Sequence, residues 1–176
     1  MNSDDTGFKA ARILDRLEVS PSELGYRAQA LLAEVLALMG AGIDAVARAG
    51  HPDVTARMGG RLLRIQVKAT RQPSFRFDEA DLEGIRPQAP HEDGYLAVLD
   101  LRSPLRWMLI HHARARTLVR RTVPMALLKA MEDAPFSAQC TAFCARMVIE
   151  HEESIEAFTF SLLRKRALAE GGAIGQ

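Results

Sequence analysis

The most regular pattern of apolar positions lies in the first quarter of the chain and predicts an amphipathic helix. After Ser20, apolar residues recur every three or four positions, which is the spacing of one helix face; they are Ala28, Leu31, Leu32, Val35 and Met39. Ser20, Pro21 and Glu23 have the spacing of an N-terminal capping box, and Gly40 ends the pattern. A shorter helix is predicted before it, over residues 8–18.

A second pattern, in which apolar and polar residues alternate, predicts a β-hairpin within residues 50–70. Gly59 and Gly60 suit a two-residue turn, because both of its positions need a positive φ. That turn places Val54 opposite Ile65 and Asp53 opposite Gln66. Side chains alternate between the two faces of a strand, so one face is predicted to be buried and the other polar. The buried set is Val54, Ala56, Leu63, Ile65 and Val67, and the polar set is Asp53, Thr55, Arg64, Gln66 and Lys68.

The rest of the chain is predicted to contain shorter strands and helices. Strands are predicted over residues 43–49, 94–101 and 106–112, with a proline-punctuated connection and a short helical turn in residues 74–85. Helices are predicted over residues 123–133, 142–150 and 154–170. Phe158 and Phe160 also fit a strand, so both assignments stay open for that segment. Residues 171–176 are expected to be a frayed end.

Composition is that of an ordinary globular protein. Of the 176 residues, 48% are hydrophobic and 26% are charged. We expect one domain, made of a helical lead (1–20), a core (21–112) and a mainly helical C-terminal extension (113–176) packed on that core. No apolar run approaches a membrane span, and residues 1–14 lack the apolar region of a signal peptide, so a cytoplasmic location without membrane attachment is expected. Cys140 and Cys144 are interpreted as small buried hydrophobic residues.

Charge is distributed unevenly although the net charge is only +1. Residues 54–77 contain six basic residues and no acid, and residues 101–121 contain another six, again without an acid. If folding brings these two segments together, they form a basic face suited to a polyanion. The alternative is that the arginines are solvated independently at the ends of strands.

The combined motifs resemble the PD-(D/E)XK nuclease superfamily, most closely its Mrr-like and Holliday-junction-resolvase-like branches. The resemblance is carried by Gly25 and its helix, by "HPDV" with Asp53, by "RIQVKAT" with Gln66 and Lys68, and by "GYLAVLDLRSPLRWMLI". It spans about residues 24–112. The resemblance implies an α/β, restriction-endonuclease-like fold: a mixed central β-sheet flanked by helices, with an αβββαβ-type core.

The resemblance also implies a metal-dependent site on the polar face of the hairpin. Asp53 would be the central ligand of Mg²⁺ or Mn²⁺, with the Gln66 amide oxygen and the Val67 carbonyl as further ligands. Lys68 would orient the attacking water and stabilise the transition state. His51 is placed to approach this site. The alternative is a surface salt bridge between Asp53 and Lys68, beside a glutamine with no role.

One position departs from the superfamily pattern. Members of this branch usually carry a glutamate on the first helix, about four residues after its glycine. Counting from Gly25 reaches Gln29, which is not an acid. Glu34 is the carboxylate in the helix body, but it lies about 140° around the helix axis from Gln29. The helix contribution is therefore predicted to come from either Gln29 or Glu34, and the lack of an acid at Gln29 bears directly on activity.

Three functions are compatible with these features. The first is a metal-dependent DNA endonuclease in repair, recombination or defence, acting as a monomer or a homodimer, with phosphates contacted by Arg57, Arg61, Arg64 and Arg71. The second is a catalytically degraded nuclease fold that binds DNA or a protein partner. The third is an accessory protein whose acidic segment, residues 150–156, docks on a basic partner.

Overall fold

A five-stranded mixed sheet forms the centre of the molecule, which we describe from a computed structural model over residues 3–46 and 52–171. The strands are β1 (Gly42–Val46), β2 (Val54–Met58), β3 (Arg61–Thr70), β4 (Ser74–Phe75), β5 (Glu92–Asp100), β6 (Arg106–His111) and β7 (Val123–Pro124). The main sheet has the order β1-β2-β3-β5-β6, and β3 and β5 are its parallel pair. β4 and β7 form a separate two-stranded sheet.

Seven α-helices flank the sheet within the described residues. They are α1 (Ser3–Asp15), α2 (Pro21–Leu38), α3 (Glu79–Glu83), α4 (His112–Ala115), α5 (Met125–Met131), α6 (Ala134–Glu150) and α7 (Ile155–Gly171). The order α2-β1-β2-β3-α3-β5 reproduces the predicted αβββαβ core. The predicted fold class, an α/β fold with a mixed central sheet flanked by helices, is confirmed. No helix of the described residues is long and apolar enough to cross a membrane.

The hairpin formed by β2 and β3 has the predicted register. Val54 pairs with Ile65, and Met58 pairs with Arg61 across the turn at Gly59 and Gly60. Both glycines have a positive φ, 56° and 78°, as this turn requires. The five residues predicted to be buried are all buried. Of the strand predicted over residues 43–49, the described part forms β1, and residues 47–51 lie outside the described residues.

Each face of the sheet carries its own hydrophobic cluster. One cluster joins the buried face of the hairpin and Trp107 of β6 to helices α1, α2 and α6. The other joins Leu96 and Val98 of β5 to Leu82 of α3 and to the region of α4 and α5. The polar side chains Gln66 and Lys68 are in register with Leu96 and Val98, so they point to the α3 side of the sheet.

Helix α2 begins as predicted, but its cap is simpler than the sequence suggests. The Ser20 hydroxyl accepts a hydrogen bond from the Glu23 backbone N–H at 3.2 Å. The Glu23 carboxylate accepts hydrogen bonds from Arg27 instead, at 2.6 and 3.1 Å. Arg27 is 3% exposed and also donates to the Thr159 hydroxyl, so it ties α2 to α7. Gly40 follows the helix with a φ of +91°.

Helix α6 covers the outer edge of β6. The Trp107 backbone N–H donates to the Thr141 hydroxyl and that of Leu109 donates to the Ser137 hydroxyl, both at 2.9 Å. The Leu109 carbonyl accepts from the Asp133 N–H at 2.8 Å. These contacts satisfy groups that an edge strand would otherwise expose.

Several sequence predictions differ from the structure in detail; helix α6, for example, begins at Ala134 rather than at residue 142. The first helix spans Ser3–Asp15, which is earlier in the chain than residues 8–18. The pair formed by β4 and β7 was not predicted, because two-residue strands have no detectable period. The strand alternative for Phe158 and Phe160 is wrong, since both lie in α7.

Candidate functional site

The candidate site lies where β3 extends beyond the start of β2. Asp53 precedes β2 and turns its carboxylate toward the end of β3, which is paired with β5 on one side but extends beyond β2 on the other. Its Oδ2 accepts hydrogen bonds from the Gln66 Nε2 at 2.5 Å and from the Val67 backbone N–H at 2.8 Å. The structure therefore brings Asp53 into direct contact with Gln66 and Val67. Gln66 faces Asp53 with its amide nitrogen, whereas the sequence analysis assigned its oxygen to a metal ion.

Lys68 contacts a residue that the sequence analysis did not identify. Its Nζ lies 2.6 Å from the Asp81 Oδ1, and 30% and 22% of the two side chains are exposed. Asp81 belongs to α3, so the ion pair links the strand of the site to that short helix. Its spacing from Asp78 is a helix-start signal, but this signal does not reveal which strand the helix faces.

Helix α2 reaches the site through Gln29. Burial raises the pKa of Asp53, and a side-chain interaction with Gln29 is the weakest of the effects that act against this rise. The Gln29 Oε1 is buried and has no hydrogen-bond partner among the described residues. Glu34 lies five positions further along α2, about 140° around the helix, and is half-buried. Of the two alternatives, Gln29 is the one that interacts with Asp53.

The environment of Asp53 raises the pKa of its carboxyl above the usual value. Burial is the main cause, because removal of water disfavours the charged form. The Val67 N–H and the Lys68 charge act in the opposite direction, and the Asp81 charge raises the pKa further. A half-buried carboxylate whose pKa is shifted by such groups is a typical functional-site feature.

The oxygen donors at this site fit a hard divalent cation better than a soft one. Asp53 supplies a carboxylate, and Gln29 supplies a buried amide oxygen that lacks a donor. Among the described residues, neither sulfur nor imidazole is part of this set. Within residues 3–46 and 52–171, no three His, Cys, Asp or Glu side chains gather as a metal cluster. The donor set thus matches an ion such as Mg²⁺, which keeps several of its waters.

The four arginines that were predicted to contact DNA phosphates all form ion pairs in the structure. Each pairs with an acid from another part of the chain: Arg57 with Asp44, Arg61 with Asp93, Arg64 with Glu92, and Arg71 with Asp15. The pairing was hidden from the sequence because all four acids lie outside the basic segment. A phosphate would therefore compete with these carboxylates for the arginines.

Histidines do not complete the site among the described residues. His51, which was expected to approach Asp53, lies outside the described residues. His111 packs against Tyr95 and lies near Asp93, whereas His112 is buried beside Arg116 and Arg86. The two adjacent histidines thus have different surroundings, as expected for a poor metal-binding pair.

No protein-family model and no curated protein matches the chain. Among solved structures, the chain is similar to Hjc, a Holliday junction resolvase from the archaeal hyperthermophile Archaeoglobus fulgidus. The identity is 20%, the similar region covers 64% of this chain and 99% of that chain, and the TM-score is 0.49. The function of this chain therefore has to be argued from its own site residues.

Proposed function

We propose that this protein is a metal-dependent DNA endonuclease of the PD-(D/E)XK type, which hydrolyses phosphodiester bonds in repair, recombination or defence. The observation that carries the proposal is the juxtaposition at the end of β3: Asp53 is held by Gln66 and Val67, and Lys68 is the next residue along the strand. A carboxylate and a lysine with this spacing supply the two kinds of group that such hydrolysis needs.

Asp53 is the proposed metal ligand. Its Oδ2 is fixed by two donors, which limits the rotation of the carboxylate and gives its oxygens a defined direction. Burial penalises its negative charge, and a nearby cation would offset that penalty. Gln29 would offer its buried Oε1, and the Val67 carbonyl and Gln66 remain proposed further ligands.

Lys68 is the proposed partner of the reacting groups. Its ammonium can donate hydrogen bonds to the attacking water and to a non-bridging phosphate oxygen, where negative charge develops. The divalent ion, when bound, supplies charge neutralisation and lowers the pKa of a water. Mg²⁺ and Mn²⁺ are both proposed as the working ion.

DNA is proposed to lie along the arginine-bearing hairpin, from its turn to the far end of β3. Arg57, Arg61, Arg64 and Arg71 would exchange their carboxylate partners for phosphates, and this contact would position the duplex without reading its sequence. When an arginine exchanges a carboxylate for a phosphate, it gains less binding free energy than an unpaired arginine would. Moderate affinity for DNA is therefore expected. One chain holds one such site, and cutting both strands would require a dimer or two binding events.

A degraded nuclease fold that binds DNA or a partner is the second candidate. It is favoured by the amide at Gln29 and by the absence of a three-ligand cluster among the described residues. With Asp53 as the principal carboxylate, the ion would bind weakly until a DNA phosphate added further oxygens. This candidate predicts salt-dependent DNA binding without cleavage.

Cleavage of four DNA forms tests the proposal. Supercoiled plasmid, linear duplex, single strands and a four-way junction are incubated with Mg²⁺ or Mn²⁺. We expect the wild type to cut at least one of them, and Asp53→Ala and Lys68→Ala each to lose about 10²–10³-fold in rate, as when a pre-organised catalytic group is removed. Lys129→Ala, which removes an exposed lysine of α5, is the matched control and should retain the wild-type rate.

Two other results would count against this function. If no DNA form is cut but binding weakens as salt increases, the second candidate is correct. If cleavage persists in both Asp53→Ala and Lys68→Ala, the nuclease site lies elsewhere in the chain.

A further inference from the structure

Asp81 is the residue that determines where the Lys68 ammonium lies. The Nζ–Oδ1 distance is 2.6 Å, and both side chains are largely covered by protein. Lysine has a flexible stem of four carbons and a compact charge, so its ammonium position depends on the partner that holds it. Here that partner comes from α3, whereas Asp53 comes from the hairpin.

The Asp81 carboxylate is itself held in place. Its other oxygen, Oδ2, accepts a hydrogen bond from the Asp78 backbone N–H at 2.9 Å. The next residue, Leu82, is 3% exposed, and Phe77 and Ile85 on either side of the helix are 1% and 0% exposed. Both oxygens of Asp81 therefore have a defined partner, and the segment that carries them is anchored in a hydrophobic cluster.

Asp53 and Asp81 compete for the same ammonium. Both carboxylates interact electrostatically with Lys68. Burial is the main cause of the raised pKa of Asp53, and the Asp81 charge raises that pKa further. Without Asp81, the carboxylate of Asp53 would be the remaining acid that interacts with the Lys68 ammonium. An ammonium paired with Asp53 would occupy the oxygens that a cation needs.

We propose that Asp81 is a positioning residue that holds Lys68 away from Asp53 and so keeps Asp53 open to a divalent cation. The proposal rests on the proposed function in taking Asp53 as the cation ligand. Asp81 itself touches neither the cation nor the phosphate. Its effect acts through Lys68, which leaves a specific signature: Asp81 should matter for cation binding only when Lys68 is present.

Mn²⁺ binding measured by calorimetry tests this signature without requiring cleavage. Five proteins are compared: the wild type, Asp81→Asn, Lys68→Ala, the double variant with both changes, and Glu83→Gln. Asparagine at position 81 keeps an oxygen for the Asp78 N–H, so α3 should retain its start. Glu83→Gln removes one negative charge from an exposed position on the same helix and is the matched control.

We expect Asp81→Asn to weaken Mn²⁺ binding about tenfold, which lies within the range of coupling between contacting groups. In the Lys68→Ala background the same change should alter the affinity by less than about twofold, because no ammonium is left to compete. Glu83→Gln should resemble the wild type. This pattern would establish that Asp81 acts through Lys68.

Three results would overturn the proposal. Equal weakening by Asp81→Asn in both backgrounds would mean that Asp81 acts through its own charge or as a ligand. An unchanged affinity in Asp81→Asn would mean that Lys68 does not compete for Asp53. Absence of Mn²⁺ binding to the wild type, both alone and with a DNA oligonucleotide that supplies phosphate oxygens, would mean that Asp53 is not open to a cation.

Parallel cleavage assays separate this proposal from the proposed function. If the wild type shows the Lys68-dependent effect on Mn²⁺ but cuts no DNA, the positioning role stands and the nuclease function fails. If it cuts DNA but Asp81→Asn binds Mn²⁺ normally, the nuclease function stands and the positioning role fails.

Discussion

Two helices flank the candidate site, and they contribute to the protein in opposite ways. α2 has 18 residues, a serine cap and a continuous apolar stripe, yet it brings only the amide of Gln29 to Asp53. α3 has five residues, yet it brings the carboxylate of Asp81 to Lys68. A strong sequence pattern therefore marks the helix that builds the core, whereas the ion pair at the site comes from a helix with almost no pattern.

The largest expected effect concerns the structural role of α2. Leu32 is 0% exposed, and Leu32→Ala should lower the free energy of unfolding by about 2–5 kcal/mol through lost burial and a residual cavity. Leu38→Ala, on the same helix but 55% exposed, is the matched control and should change it by less than about 0.5 kcal/mol. Urea denaturation measures both. Equal losses in the two variants would break the distinction between a core helix and a site helix.

The next expected effect concerns the chemical role of α2. Gln29→Glu adds a carboxylate beside Asp53, and cation affinity rises with the number of anionic ligands. We expect Mn²⁺ to bind about tenfold more tightly, which corresponds to ~1.4 kcal/mol. Calorimetry measures the change, with Gln139→Glu on the exposed side of α6 as the control.

An unchanged affinity in Gln29→Glu would show that α2 does not face the bound ion. The helix would then be purely a structural element, and the contrast with α3 would become sharper. A similar gain in Gln139→Glu would instead show a non-specific effect of net charge.

Local patterns predicted the parts of the site that lie on one hairpin. The register from the turn at Gly59 and Gly60 was enough to place Asp53 beside Gln66, because hairpin pairing depends only on nearby residues. The ion pair with Asp81 could not be predicted in this way, because it depends on how an irregular connection returns over the sheet. The acids that neutralise the arginines were missed for the same reason.

The core was equally predictable where periodicity was strong. The alternation on the hairpin identified its buried residues correctly, and four of the five stripe residues of α2 are buried. Met39 is only partly buried, and α2 also buries Ala33 and Leu36 outside the predicted stripe. The hydrogen bonds from β6 to Thr141 and Ser137 were not predictable. Both residues lie on α6, and the apolar pattern of a helix does not indicate which of its hydroxyl groups bond to a strand.

The smallest expected effect concerns the free energy of unfolding, which is lowered because the Asp53 carboxylate is partly buried. Because burial raises its pKa in the folded state above the unfolded value of 3.8, the folded protein binds more protons than the unfolded one just above that pH. The free energy of unfolding therefore falls as pH rises through this window, and the loss is complete at neutral pH. Asp53→Asn cannot ionise, so without divalent ions its Tm should exceed that of the wild type by roughly 1–3 °C at pH 7. The difference should shrink as the pH falls and disappear well below 3.8, where the wild-type carboxyl is protonated in both states. A lower Tm for the variant at pH 7 would mean that the hydrogen bonds from Gln66 and Val67 outweigh burial.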